Sequence, residues 1–289
     1  MTARSLKIGA GPPIHVARSM SPKPLSYLPY CYEAPRLAVE AAGHTDRGKV
    51  RRRNEDSFAV RNQLGLFVVA DGVSGREHGD VASKTAVDRV THYVAEAAGE
   101  PPGDLHDPAS TLFEEAVRKA NREIYREGLK QGEGRGMTTT FVGALVHGEE
   151  FCLAHVGDSR AYRYRDGHLV QLTMDHSVGN ELFTSRRPDD WRLLGVNLAA
   201  LTRALGLHES VQVAVQEVEA RAGDVLLLCS DGLSNMLPTS EIEDILARES
   251  DLELCAESLI SAANDAGGFD NTTVVLVRWR EDRGSLPLA

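Results

Sequence analysis

Two segments of the sequence each place an Asp-Gly pair directly after a strongly apolar run. Residues 67–70 are followed by Asp71 and Gly72, and residues 227–230 are followed by Asp231 and a further glycine. A buried strand that ends in such a pair delivers its carboxylate to the rim of the core, and the glycine lets a ligand approach the backbone closely. One such pair alone is typical of an ordinary turn, but two at the ends of equally apolar runs favour a site.

Further acidic residues lie beside other strand-like runs: Glu55, Asp56, Asp158 and Asp270. Carboxylates that are brought together repel one another, and they take up protons unless a cation neutralises them. Oxygen ligands suit hard ions such as Mg²⁺ or Mn²⁺, and two such ions about 4 Å apart can activate a water molecule. The alternative interpretation is a set of solvated loop acids.

One cation stands close to these acids, because Arg51 lies four residues before Glu55. A guanidinium offers a planar fork that matches two phosphate oxygens. A site that combines divalent ions with one arginine would suit a phosphate ester. For the neighbouring Arg52 and Arg53, a solvated basic turn is the favoured interpretation.

Nine short runs with strand character and four helical patterns must position these residues. The predicted strands cover residues 37–42, 57–61, 66–70, 139–146, 151–156, 161–165, 211–218, 225–230 and 273–279. The predicted helices cover residues 81–98, 111–128, 240–247 and 252–266. Strands and helices do not alternate regularly, so the pattern predicts an α+β fold with stacked antiparallel sheets (a β-sandwich) flanked by helices.

Composition limits the functional classes and the compartment. The chain has 289 residues and a formal net charge of −10, which argues against a general binder of nucleic acid or anionic membranes. No run is long and apolar enough for a membrane span, and no signal peptide opens the chain. The four cysteines form no Cys-x-x-Cys pair, so a reducing, cytoplasmic location is expected.

The first 36 residues differ from the remainder because they hold six of the twelve prolines and five basic residues against one acid. Frequent prolines block helices and central strands, so residues 1–36 are expected to form a flexible arm. A transit peptide is the alternative, but the segment lacks a clear amphipathic pattern. A catalytic domain is expected at 37–282, followed by a short tail at 283–289.

Eight motifs resemble, in their order, those of the metal-dependent Ser/Thr protein phosphatases, the protein phosphatase 2C family. They are Val50-Arg51-x-x-Asn54-Glu55-Asp56, Ala70-Asp71-Gly72, Gly136-Met137-x-Thr139-Thr140, Gly157-Asp158-Ser159-Arg160-x-Tyr162, Leu172-Thr173-x-Asp175-His176-Ser177, Leu201-Thr202-Arg203-Ala204-Leu205-Gly206, Ser230-Asp231-Gly232-Leu233 and Asp270-Asn271. Each motif is weak alone, but their common order across nearly the whole globular part makes the resemblance strong. The compact spacing is most similar to the bacterial branch.

The resemblance implies a two-sheet sandwich with a centre of two Mn²⁺ or Mg²⁺ ions. Asp56 and Asp71 would bind the paired ions, with Asp71 bridging them and the Gly72 carbonyl contributing. Asp231 and Asp270 would complete the shell of one ion. A water activated at this centre would attack phosphoserine or phosphothreonine directly, without a phosphoenzyme.

The remaining roles also follow from the resemblance. Glu55 would ligate an ion directly or through a water, and Arg51 would grip the phosphate. Asp158, shared with Asp231, matches the position of a third, weaker ion in bacterial relatives.

The sequence departs from the family pattern at two positions that bear on the chemistry. Val73 stands where many eukaryotic relatives carry a histidine proposed as the general acid, so the leaving oxygen would need another source for its proton. Asn235 stands where many relatives carry an aspartate of the third-ion site. That departure concerns the third ion and leaves the pair untouched.

The stretch 177–201 matches the flap of bacterial relatives and contains Arg186 and Arg187. A long polar segment between strands is often a lid or a binding loop, and this one is expected to touch substrate protein; a passive connector is the alternative. His176, just before it, is expected to brace the flap rather than to bind a metal.

The favoured hypothesis is a phosphoprotein phosphatase that opposes a Ser/Thr kinase, is monomeric, and binds no nucleic acid. The first alternative is a catalytically silent module that binds phosphoproteins; such modules usually lose metal ligands, which this chain keeps. The second alternative is a phosphatase for small phosphate esters, which nothing in the sequence excludes.

Overall fold

The computed structural model of the chain describes residues 37–73, 78–99, 108–130, 136–147, 149–184 and 197–281. The predicted arm at 1–36, the predicted tail at 283–289 and the flap residues Arg186 and Arg187 lie outside the described residues.

The strands of the described ranges form two five-stranded sheets in which every neighbouring pair is antiparallel. The strands are β1 (Leu37–Asp46), β2 (Asp56–Arg61), β3 (Leu66–Asp71), β4 (Phe141–His147), β5 (Glu150–Val156), β6 (Arg160–Arg165), β7 (His168–Gln171), β8 (Ala214–Glu219), β9 (Val225–Cys229) and β10 (Thr272–Glu281). One sheet has the order β1-β10-β9-β6-β7, and the other has the order β2-β3-β4-β5-β8.

The described ranges contain six α-helices. They are α1 (Gly79–Gly99), α2 (Ala109–Lys130), α3 (Val178–Thr184), α4 (Asp231–Ser234), α5 (Thr239–Arg248) and α6 (Leu252–Asp265). The pair α1 and α2 packs on the β2-to-β8 sheet, whereas α4, α5 and α6 pack on the other. The predicted α+β sandwich flanked by helices on both faces is confirmed.

The apolar runs are continuous because both faces of the central strands are buried. In β3, Phe67 and Val69 face the interior between the sheets, and Leu66 and Val68 face the α1–α2 layer. Strand β9 follows the same alternation between the sheet interior and the α4–α6 layer. Burial on two faces removes the polar alternation of a half-exposed strand. Each strand therefore leads its terminal aspartate out of the core at the rim.

Three short elements were not predicted. Strand β7 and helix α3 carry little apolar signal, with one buried residue each, Leu169 and Gly179. Helix α4 has only four residues, so it shows no helical periodicity. In the described part of the chain, no helix is both long and apolar enough to cross a membrane.

Candidate metal centre

The predicted acidic residues gather at one end of the sandwich, where strands of both sheets begin or end. Asp56 is the first residue of β2 and Asp71 the last of β3, and the antiparallel register places them directly opposite each other. Asp231 follows β9 as the first residue of α4. Asp158 lies in the turn between β5 and β6, and Asp270 lies just before β10.

A pocket of about 380 Å³ opens at this end, and five of the predicted site residues line it. They are Arg51, Asp71, Asp158, Asp231 and Asp270. Further lining residues come from the end of the flap and the segment after it, including Asn197, Leu201 and Ala204.

Asp56 does not line this pocket. It is buried, and it borders a second hollow beside the start of α1. The Asp71 side chain influences the pKa values of both Asp56 and Asp231, so it lies beside both of them. Asp71 thus connects the buried acid with the acids of the pocket wall.

Two threonines of the stretch before β4 hold the backbone of Asp71. The Asp71 N–H donates to Thr140 Oγ1 at 3.0 Å, and Thr140 N–H donates to the Asp71 carbonyl at 2.8 Å. The Thr139 hydroxyl donates to the same carbonyl at 2.8 Å. Thr140 Oγ1 also lies 2.6 Å from the hydroxyl of Ser159, which follows Asp158. These contacts couple the Asp71 strand end to the Asp158 turn.

The side-chain amide of Asn271 ties the Arg51 loop to the Asp270 loop. Its Nδ2 donates to the carbonyls of Arg47 and Arg53 at 2.9 and 2.8 Å. Its Oδ1 accepts from the backbone N–H of Glu55 at 2.8 Å. One buried amide therefore fixes the segment that carries both Arg51 and Glu55.

Glu55 and Gly72 meet at the start of α1. A Cβ on Gly72 would lie 2.4 Å from the Gly79 carbonyl oxygen and 2.7 Å from that of Glu55, so only glycine fits this position. A Cβ on Gly79 would lie 3.1 Å from the Gly72 carbonyl carbon and 3.3 Å from Glu55 Oε1. The close packing of two glycines thus brings the Glu55 carboxyl and the Gly72 carbonyl group together.

The pKa values of these acids show that they crowd one another. Burial raises the pKa of Asp71 well above its ordinary value, and the nearby charges of Asp56, Asp231, Asp158 and Asp270 raise it further. Burial likewise raises the pKa of Asp56 to about 6, although hydrogen bonds oppose the shift. Burial and then Asp270 raise the pKa of Asp231. For Asp158, burial followed by Asp231 raises the pKa to about 7. The cluster lacks enough positive charge to hold these carboxylates ionised.

Two carboxylate oxygens of the cluster are buried without a hydrogen-bond partner, Asp56 Oδ1 and Asp231 Oδ1. A buried acceptor without a donor is costly, and native proteins rarely leave one unless another ligand satisfies it. An oxygen-only donor set with this excess of negative charge suits Mg²⁺ or Mn²⁺ rather than zinc. The residues present therefore fit a hard divalent ion.

Arg51 faces the same pocket as the acids. Its Nη2 donates to Asp270 Oδ2 at 2.5 Å. Both side chains are about one-third exposed, at 34% and 30%, so the guanidinium remains accessible from the pocket. An arginine held in this way is placed to receive an anion beside the carboxylates.

The two departures from the family pattern have structural counterparts. Asn235 donates its Nδ2 to Asp231 Oδ2 at 3.1 Å, so a neutral amide stands beside Asp231 in place of a further carboxylate. Val73 lines the pocket and offers no titratable proton.

His176 joins the base of the flap to the Asp158 turn. Gly157 N–H donates to His176 Nδ1 at 3.1 Å, and His176 N–H donates back to the Gly157 carbonyl at 2.9 Å. Burial, followed by the neighbouring His155 and Arg203, lowers the pKa of His176 to about 3. The ring is neutral near pH 7, which favours a bracing role over proton donation. Beyond it, Ser177 forms an isolated bridge with Leu201, which closes the flap at its base.

The residues that the motif analysis left without a role are mostly hydroxyls and amides. Thr139, Thr140, Ser159, Ser230, Asn271 and Thr273 all contact the acids or their loops. Ser159, Ser230, Asn271 and Thr273 lie within one to three residues of a predicted acid, which was the available signal. Thr139 and Thr140 are distant from the acids in sequence and were marked only by their motif. A separate cluster of possible metal ligands consists of His147 at the end of β4, Glu150 at the start of β5 and Glu217 within β8. It does not border the pocket.

The sequence model of the protein family described as Protein phosphatase 2C matches residues 42–274 of this chain. The chain belongs to the protein phosphatase 2C family. The serine/threonine phosphatase stp of Listeria monocytogenes is 36% identical over 244 residues, which cover 83% of this chain and 95% of that protein. The protein phosphatase PhpP of Streptococcus pneumoniae is 32% identical, with 82% of this chain and 96% of that protein covered.

Solved structures of this phosphatase 2C family share the fold. The catalytic domain of the serine/threonine protein phosphatase PstP, solved with two manganese ions, superposes with a TM-score of 0.72 and 35% identity. The match covers 84% of this chain and 99% of that domain. The predicted family and its bacterial character are confirmed.

Proposed function

We propose that this phosphatase 2C chain hydrolyses phosphoserine and phosphothreonine in proteins with the help of Mn²⁺ or Mg²⁺. The observation that carries the proposal is the pair of buried, unpartnered oxygens, Asp56 Oδ1 and Asp231 Oδ1, in an acid cluster that borders a pocket containing Arg51. The proposal is supported by the relatives, which are named as protein phosphatases, and by the two manganese ions in the PstP structure.

The residues that would hold the paired ions are Asp56, Asp71, Asp231 and Asp270, with the Gly72 carbonyl and Glu55 beside them. Asp71 would be the bridging ligand, because it lies directly opposite Asp56 across β2 and β3 and its pKa responds to Asp231. Asp158, together with Asp231, would hold a third ion. When bound, such ions neutralise the carboxylates, polarise a phosphoryl oxygen and lower the pKa of a water that serves as the nucleophile.

The protein itself supplies the binding and orientation of the phosphate. Arg51 presents donors to the phosphate oxygens, and Asp270 fixes its guanidinium at the pocket wall. Neither Val73 nor the neutral His176 supplies a proton to the leaving oxygen. The flap wall, through Asn197 and Leu201, borders the pocket and would contact the substrate protein around the phosphorylated residue.

The biological setting belongs to the same proposal. The substrate would be a phosphoprotein made by a Ser/Thr kinase, and the enzyme would act as a cytoplasmic monomer. Arg186 and Arg187 of the flap remain candidates for substrate contact.

The proposal is tested by following phosphate release from a phosphothreonine peptide with Mn²⁺ and with excess EDTA. Wild-type protein should turn over only with the metal. The Arg51→Ala variant should lose roughly 100-fold in kcat/KM, since it removes charge-assisted hydrogen bonds to the phosphate. Arg52→Ala is the matched control, because Arg52 is exposed and does not line the pocket, and it should retain wild-type kinetics.

Folded protein without turnover at any divalent ion would favour the silent phosphoprotein-binding module. Turnover that survives EDTA would remove the basis for the metal assignment. Hydrolysis of p-nitrophenyl phosphate with no hydrolysis of phosphopeptides would favour the phosphatase for small esters.

A further inference from the structure

The two oxygens of the buried Asp56 carboxylate have different surroundings. Oδ2 accepts two hydroxyl hydrogen bonds, from Ser230 Oγ at 2.8 Å and from Thr273 Oγ1 at 2.6 Å. Oδ1 accepts none, although it is also buried. Ser230 and Thr273 are themselves fully buried, so water does not compete for these contacts.

The hydroxyl groups of Ser230 and Thr273 both donate their protons to the Asp56 carboxylate. The Thr273 N–H donates to Ser230 Oγ at 2.9 Å, which uses the serine oxygen as an acceptor and leaves its proton for the carboxylate. Thr273 Oγ1 lies 2.6 Å from Thr45 Oγ1, its direct partner across β1 and β10. An ionised carboxylate can only accept, so the Thr273 proton points to Asp56 and Thr45 must donate to Thr273.

The far end of this series fixes its direction. Asn54 Nδ2 donates to Thr45 Oγ1 at 2.9 Å, and an amide nitrogen cannot accept. The series Asn54–Thr45–Thr273–Asp56 therefore has one consistent direction, with every proton pointing toward the acid. Hydrogen bonds aligned in series polarise and strengthen one another. Asn54 Oδ1 in addition accepts from the Asp56 N–H at 3.1 Å, so the same side chain holds the backbone of the acid.

We propose that Thr273, Ser230 and Thr45 are positioning residues that lock the Asp56 carboxylate so that Oδ1 alone remains available as the metal ligand. This inference rests on the proposed function, since it concerns the same acid. The two hydroxyls occupy Oδ2 and prevent rotation about the Cβ–Cγ bond from exchanging the two oxygens. Oδ1 then stays available in the acid cluster, where Asp71 lies directly opposite Asp56 across β2 and β3.

The test measures Mn²⁺ binding by calorimetry, which is independent of turnover. Thr273→Val keeps the shape of the side chain and removes its donor. It should weaken Mn²⁺ affinity roughly 10- to 100-fold, the usual effect of losing a hydrogen bond behind a metal ligand. Thr273→Ser restores the hydroxyl and should bind Mn²⁺ within about threefold of wild type.

Thr91→Val is the matched control, because the Thr91 hydroxyl of α1 is buried without a partner. It should leave Mn²⁺ affinity unchanged. Thr45→Val should weaken binding less than Thr273→Val, since Thr45 acts through Thr273. For the same reason the double variant should bind no more weakly than Thr273→Val alone, a non-additivity that independent packing defects do not show.

The outcomes separate this inference from the proposed function. If wild type binds Mn²⁺ and folded Thr273→Val binds it equally well, the positioning role is overturned while the proposed function stands. If wild type binds no divalent ion, both are overturned. Should Thr273→Val fail to fold, Ser230→Ala and Thr45→Val carry the test, and wild-type affinity in both would overturn the inference.

Discussion

Strand β9 has an aspartate near each end, and the two carboxylates differ in their hydrogen-bond partners and in the charges around them. Asp224, directly before the strand, is almost fully buried and receives the guanidinium of Arg165, with Nε at 2.7 Å and Nη2 at 2.6 Å. The Arg221 N–H adds a third bond at 2.8 Å. Asp231, after the strand, receives one amide donor at 3.1 Å, and its Oδ1 receives none.

The difference separates a structural carboxylate from one available for function. At the Asp224 end the fork of Arg165 supplies charge and geometry, and the interaction raises the pKa of Arg165. At the Asp231 end burial and the neighbouring Asp270 raise the pKa of Asp231, although Arg51 and Arg160 oppose the shift. Acids with raised pKa values that gather beside a pocket are typical of functional sites.

The largest expected effect is on catalysis by the Asp231→Asn variant. A bound divalent ion supplies several kcal/mol of transition-state stabilisation, so loss of this ligand should lower kcat/KM roughly 1000-fold. Asp224→Asn makes the same chemical change at the other end of β9 and should stay within about threefold of wild type. Steady-state kinetics on a phosphothreonine peptide measure both, and equal losses in the two variants would refute the comparison.

The second-largest expected effect is on the stability of the protein, and it arises at the Asp224 end of β9. Asp224→Asn leaves the partly buried Arg165 without its counter-charge and should lower the free energy of unfolding by about 2–3 kcal/mol. Urea unfolding with EDTA present measures the loss. Asp166→Asn is the control, because it removes an exposed neighbouring acid and should change stability by less than about 0.5 kcal/mol. An unchanged midpoint for Asp224→Asn would show that the ion pair is dispensable.

The smallest expected effect is a pH dependence of stability that comes from Asp158, in the acid cluster at the Asp231 end of β9. The pKa of Asp158 is about 7 in the folded protein, whereas the unfolded value is about 4. Between pH 6 and 8 the folded state thus loses a proton that the unfolded chain has already released, and stability falls as pH rises. Asp158→Asn does not titrate, so in EDTA its stability relative to wild type should increase by about 1 kcal/mol from pH 6 to 8.

Urea unfolding of both proteins at the two pH values gives this difference, and contributions from histidines cancel because both proteins share them. A difference between the two proteins that stays constant with pH would show that Asp158 is already ionised at pH 6.

Much of the site could be predicted because the signals for it lie in short, continuous stretches of the sequence. The Asp-Gly pairs after apolar runs placed Asp71 and Asp231 at the ends of buried strands, and the order of eight motifs was enough for the family. The short β7 and α3 could not be predicted, because neither has the apolar periodicity that marks a regular element.

The sequence by itself determined which acids could meet, since strands buried on both faces must release their terminal aspartates at the rim. Only the tertiary structure decided which of those acids are neutralised and which are not. Arg165 and Asp224 are 59 positions apart, and Asp56 takes its hydroxyl donors from 174 and 217 positions away. Such partners are selected by the register and stacking of the two sheets. No local pattern encodes them, because the hydrogen bonds form only when both sheets are in place.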